Sequence, residues 1–144
     1  MPYYKSQMWY VRGERVHFGN WGRTIFGIGP AHNRFYPEYL LEKIRQLEFP
    51  NLPSRMRSSF VFENRDFALN WNRIPGEHTY LVCIDDNNAI SHRGDMGWID
   101  LMVSVHSFDE VEDIARRYWR GEVRNQNQLE IVVPSELIIE ERIA

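Results

Sequence analysis

The feature that most constrains this chain is its succession of short apolar runs rich in aromatic and β-branched residues. Such runs recur at residues 7–11, 58–63, 79–84, 99–105, Leu129–Val133 and 137–143, each a strand by its composition and its bounding turn residues. Helical periodicity is confined to fewer, longer segments. Pro37 opens one of them, Glu38 complements its dipole, and Leu40, Leu41, Ile44 and Leu47 recur on one face until Pro50 and Pro53 stop it. A second covers residues 109–119, with Ser107 as cap, Glu110 three residues on, and Val111, Ile114, Ala115 and Tyr118 as the apolar stripe. Asn64 is placed to cap a shorter helix over residues 65–71. Strands and helices do not alternate as βαβ units, so the expectation is an α+β fold over residues 1–144 as one domain.

At 144 residues the chain is long enough to bury a core without disulfides, and its lone Cys83 excludes an internal one. Cys83 sits in the apolar run Leu81-Val82-Cys83-Ile84, which predicts a buried, inert thiol. Aromatic residues make up 14% of the chain, enough for a ring-rich core or for a groove that stacks flat ligands. A net charge of −3 gives no overall basic field to draw in nucleic acid. Met1-Pro2-Tyr3-Tyr4-Lys5 has no signal-peptide core and no run reaches a membrane span, so a cytoplasmic protein without a membrane partner is expected. The segment 18–30, with four glycines, does not fit a dinucleotide fingerprint and reads as a flexible loop.

Most catalytic templates fail. His17, His32, His78, His92 and His106 form neither HExxH nor a cysteine-histidine spacing, so no metal is expected. There is no Gly-x-x-x-x-Gly-Lys loop and no Gly-x-Ser-x-Gly elbow. Arg93-Gly94-Asp95 is a three-residue match of the kind that chance supplies.

Three segments remain, in a meaningful order. Trp9-Tyr10-Val11-Arg12-Gly13 ends an expected first strand in an arginine and a glycine. Pro53 to Glu63 runs from polar residues, including Ser58 and Ser59, into the aromatic strand of Phe60 and Phe62. Gln126-Asn127-Gln128-Leu129-Glu130-Ile131-Val132-Val133-Pro134 is an amide-rich loop leading to a carboxylate at the head of an apolar strand. Together they resemble the three-part signature of the ADP-ribosyltransferase superfamily, and the stretch 37–71 is similar to an uncharacterised bacterial and viral branch near it.

The resemblance implies an ADP-ribosyltransferase-like fold, with mixed central sheets forming an NAD cleft and helices flanking them. It also implies an NAD-dependent mono-ADP-ribosyltransferase that takes NAD as substrate and modifies a macromolecule, protein before nucleic acid. Glu130 would be the catalytic carboxylate and Gln128 would meet the acceptor, while Arg12, Gly13, Ser58, Ser59, Phe60 and Phe62 would hold NAD. Arg55, Arg57, Arg117 and Arg120 are the basic residues placed to meet an acceptor. A small stand-alone effector, a toxin or a viral modifier acting in the host cytoplasm, fits this likeness.

The chemistry is consistent with the pattern. Breaking the bond between nicotinamide and ribose develops positive charge at the anomeric carbon, and a nearby carboxylate stabilises it. The middle segment lacks a Ser-Thr-Ser or tyrosine motif, which keeps open an inactive binding or inhibitor module on the same fold. An RNA 2′-phosphotransferase-like enzyme is a further alternative.

Overall fold

The computed structural model describes residues 2–7, 9–71, 77–105 and 107–144. Its strands are β1 Tyr3–Gln7, β2 Arg15–Val16, β3 Ser59–Phe62, β4 His78–Ile84, β5 His92–Asp95, β6 Leu129–Val133 and β7 Leu137–Arg142. They form one sheet in the order β2-β7-β4-β1-β3-β6-β5, and the pairings among the described residues are antiparallel. The helices are α1 Asn20–Ile28, α2 Phe35–Glu48, α3 Arg65–Asn70, α4 Met96–Met102 and α5 Phe108–Trp119. The protein is thus a mixed α+β structure on an antiparallel sheet.

The sheet nearly parts in its middle. β1 pairs with β4 over five residues and β3 with β6 over four, yet among the described residues β1 meets β3 only at Tyr4 and Phe62. Apolar packing is divided to match. Val16, Val61, Tyr80, Val82, Ile131, Leu137 and Ile139 form one cluster on the sheet. A second lies between helices, where Leu41 and Ile44 of α2 meet Ile99 and Met102 of α4 and Ile114, Ala115, Tyr118 and Trp119 of α5. Phe62, Ala68 and Met96 form a third, smaller cluster beside the junction.

The expected helices at 37–48 and 109–119 are present, each beginning slightly earlier, at Phe35 and Phe108. Asn64 and Ser107 act as caps: their side-chain oxygens accept from Phe67 N at 2.8 Å and from Glu110 N at 3.5 Å. Four expectations are corrected. The first strand is Tyr3–Gln7 rather than 7–11; Met8 lies outside the described residues, and residues 9–11 run on as irregular chain. There Tyr10 N donates to Tyr80 Oη at 2.8 Å, and the Trp9 ring packs against His78.

The glycine-rich segment is not a loop but holds α1, entered through Gly19 at φ 87°. Gly22 is needed inside that helix because a Cβ there would lie 2.2 Å from the Met56 carbonyl oxygen. Residues 99–105 are not a strand. Asp95 Oδ1 accepts from Gly97 N at 2.7 Å and starts α4, which buries Met96, Ile99 and Met102 at helical spacing. Cys83 is half-buried rather than fully buried, and burial, with Glu140 beside it, raises its thiol pKa.

Candidate active site

A cavity of about 290 Å³ opens where the sheet parts. Lys5 reaches it from β1, Ser59, Phe60 and Phe62 from β3, and Glu130 from β6, so three neighbouring strands supply its floor. Trp21, Arg34 and Glu38 close it from α1, the following turn and α2, and Trp71 and Glu77 flank it.

The electrostatic centre is a buried network around Arg55, in the short 3-10 turn Arg55–Arg57. Ser54 caps that turn, its hydroxyl accepting from Met56 N at 3.2 Å. Arg55 is only 6% exposed, and Glu38 and Glu130 are each 2% exposed. Arg55 Nε donates to both oxygens of Glu38, at 3.0 and 2.9 Å. Its Nη1 donates to Tyr118 Oη at 2.7 Å and makes an ion pair with Glu130 Oε1. Tyr118 Oη in turn donates to Glu130 Oε1 at 2.8 Å. Burial works against the Arg55 cation, but Glu130 and Glu38 outweigh it and hold its pKa well above the ordinary arginine value. Burial raises the Tyr118 phenol strongly; Arg55 opposes that shift and Glu130 adds to it.

The arrangement has two chemical consequences. One cation is shared between two carboxylates, so the network carries a formal excess of negative charge in a poorly solvated place, where such charge acts strongly on a developing cation. Among the described residues, the hydrogen bonds to Glu130 all fall on Oε1, which leaves Oε2 for the cavity. Lys5 supplies the complementary element. It is half-buried, it has no carboxylate partner among the described residues, and burial lowers its pKa to about 8. A half-desolvated ammonium without a counter-ion favours an anionic ligand.

Of the residues singled out from sequence, the structure brings Glu130, Ser58, Ser59, Phe60, Phe62 and Arg55 to this cavity. Ser59 Oγ donates to Ser135 O at 2.8 Å and Ser58 Oγ to Ser54 O at 2.7 Å, so both hydroxyls also tie down neighbouring chain. The Arg55 guanidinium lies over the Phe60 ring at 4.8 Å. Arg55 is turned inward and engaged by carboxylates, instead of facing outward to an acceptor. Arg12 and Gly13 sit in an exposed turn away from the cavity, and Gly13 has φ 84°. Gln128 ends a 3-10 turn and does not line the cavity. Arg57 is exposed. Arg117 pairs with Asp113 and Glu122, and Arg120 with Glu122, so both arginines are engaged by carboxylates near their own helix end.

Sequence reading missed Lys5, Glu38 and the Tyr118 hydroxyl. Glu38 had a signal: it shares a face with Leu41 and Ile44, a charged residue on a buried helical stripe. Lys5 had none, because Tyr3-Tyr4-Lys5-Ser6-Gln7 shows no apolar alternation. His106, one of the five histidines, lies outside the described residues. Among the described residues there is no group of three histidine, cysteine or acidic side chains able to hold a metal ion, and no helix long and apolar enough to cross a membrane.

Fold and site together define an α+β protein with a ligand-sized cavity at a parted antiparallel sheet. The chain belongs to the family described as "Protein of unknown function (DUF2441)", which matches residues 15–144. No curated protein matches it.

Proposed function

We propose that this protein is an NAD-dependent mono-ADP-ribosyltransferase whose catalytic carboxylate is Glu130. The observation behind the reading is that β1, β3 and β6 adjoin one another and deliver Lys5, Ser59 with Phe60, and Glu130 to one cavity. These are a cation on the first strand, a serine and a ring on a central strand, and a glutamate at the head of a late strand. Lys5 takes the place that the sequence had suggested for Arg12.

In this reading the cavity receives the nicotinamide riboside end of NAD. Its volume of about 290 Å³ is at the low end for ligand sites, so the adenosine end rests outside it. Lys5 holds the pyrophosphate as a point charge. Phe60 and Phe62 offer ring faces to nicotinamide. Glu130 Oε2 faces the anomeric carbon and stabilises positive charge as nicotinamide departs, while Arg55 and Tyr118 keep the carboxylate fixed through Oε1. The acceptor is macromolecular, protein before nucleic acid.

The test is incubation with labelled NAD and a cell lysate, with release of nicotinamide followed alongside. The wild-type protein labels a macromolecule, and Glu130→Gln loses at least about a hundredfold of that activity, the scale on which single transition-state electrostatic contacts act. Full labelling by Glu130→Gln would remove that residue from the mechanism. Neither labelling nor NAD binding by the wild type would favour a binding module, in which the closed Arg55–Glu130 pair is purely structural.

A further inference from the structure

His17 follows β2 and lines the same cavity as Lys5 and Glu130. Its side chain is 74% exposed, and its Nδ1 lies 3.5 Å from Glu136 Oε2. That carboxylate oxygen is buried and, among the described residues, has no hydrogen-bond partner. The main chain at Glu136 is anchored, since its backbone carbonyl accepts from Asp85 N at 3.0 Å and from Ser135 Oγ at 2.9 Å. Ser135 O also receives the Ser59 hydroxyl, which ties this turn to the cavity floor.

A carboxylate oxygen on the Nδ1 side of the ring favours, by charge, the tautomer with the proton there, which presents the Nε2 lone pair as a proton acceptor. Nothing in the role of Glu130 uses that lone pair. Glu130 meets developing positive charge, whereas a neutral incoming nucleophile must also lose a proton.

We propose that His17, positioned by Glu136, is the general base for the acceptor, and that the acceptor is therefore a neutral O–H or N–H nucleophile. This rests on the NAD-dependent transferase reading. In the step, the bond from ribose C1′ to the nicotinamide nitrogen breaks and nicotinamide leaves with the electron pair. The acceptor oxygen or nitrogen bonds to C1′, and its proton passes to His17 Nε2 and then to solvent. An acceptor carboxylate, already ionised, would have no use for such a base.

The experiment compares wild type, His17→Ala, His17→Asn, Glu136→Gln and Glu130→Gln for labelling at saturating labelled NAD, with and without added imidazole. Both His17 variants lose about a hundredfold in transfer rate, at the lower end of what a positioned base contributes. Their NAD binding by calorimetry changes little, because the lost contact is to the acceptor. Imidazole restores a large part of the rate to His17→Ala and none to Glu130→Gln. Glu136→Gln lowers the rate with the NAD KM unchanged, which separates positioning from binding. A wild-type rate in either His17 variant, or a low rate in His17→Ala that imidazole leaves untouched, overturns the proposal. If the wild type cleaves NAD and His17→Ala is unaffected, only this proposal falls. If the wild type neither binds nor cleaves NAD, the transferase reading falls and takes this one with it.

Discussion

Arg55 shows how far the meaning of a residue depends on what surrounds it. As sequence it is one of several arginines before a strand; in the fold it is the cation that makes two buried glutamates tolerable. Arg55→Met leaves Glu38 and Glu130 buried without a counter-charge and is expected to cost about 3–5 kcal/mol in denaturant unfolding. Adding Glu38→Gln and Glu130→Gln to Arg55→Met should recover much of that loss, since the cost lies in the unpaired charges. His92 gives a second prediction. Burial, with Arg55 also opposing the proton and the Tyr118 carbonyl favouring it, lowers its pKa to about 4. The unfolded chain therefore takes up a proton that the folded one refuses, so this stability is present above pH 6.5 and is lost as pH falls towards 4. The loss amounts to at most about 3 kcal/mol and should be smaller in His92→Gln when unfolding is measured across that window. Lys5 acts in the alkaline range. With a pKa of about 8 it loses its charge between pH 7 and 9, and on the proposed reading affinity for NAD should fall about tenfold over that interval in wild type but not in Lys5→Met. Glu130 was legible because a carboxylate heading an apolar strand stands out. Lys5 was not, because a lone lysine among polar neighbours has no pattern until pairing with β4 gives it a place.

At the scale of elements, periodicity found the elements whose apolar face is read on one strand or helix, and missed those made by contact. α2 and α5 have such faces. α1 hid behind its glycines, and β5, His92-Arg93-Gly94-Asp95, contains no aliphatic residue at all. That strand exists because β6 offers it a partner and because Gly94 lets the Tyr118 ring lie against it; a Cβ there would be 2.2 Å from Tyr118 Cε2. The two glycines inside α1 make a paired test. Gly22→Ala collides with the Met56 carbonyl and should destabilise by about 1–3 kcal/mol or more. Gly27 has nothing within 4 Å of an added Cβ, so Gly27→Ala should stabilise by up to about 1 kcal/mol through helix propensity. Thermal melts of the two variants should move in opposite directions. Equal shifts would mean that α1 does not press on the 3-10 turn that positions Arg55.

At the scale of the molecule, the cavity lies across the place where the sheet nearly parts, so a ligand there touches both sides at once. On the proposed transferase reading, NAD at a hundredfold excess over its dissociation constant should add about 2.7 kcal/mol to stability, seen as a raised melting temperature that Lys5→Met diminishes. Amide exchange at Tyr4 and Phe62 should slow on binding, because that pair is the seam. The α+β class could be read from the order of runs, but the seam could not. It depends on which strands lie side by side, and antiparallel partners here come from distant parts of the chain. The two sides are also threaded through one another: β1, β2, β4 and β7 make one, while β3, β5 and β6 make the other. The polypeptide passes back and forth between them, so neither side corresponds to a continuous segment that could be cut out and expressed alone. Nor can either be completed early, since β2 and β4 must wait for β7, and β3 for β6. Pairings between such remote segments favour slow folding, and Lys5 cannot meet Glu130 until β6 has been made.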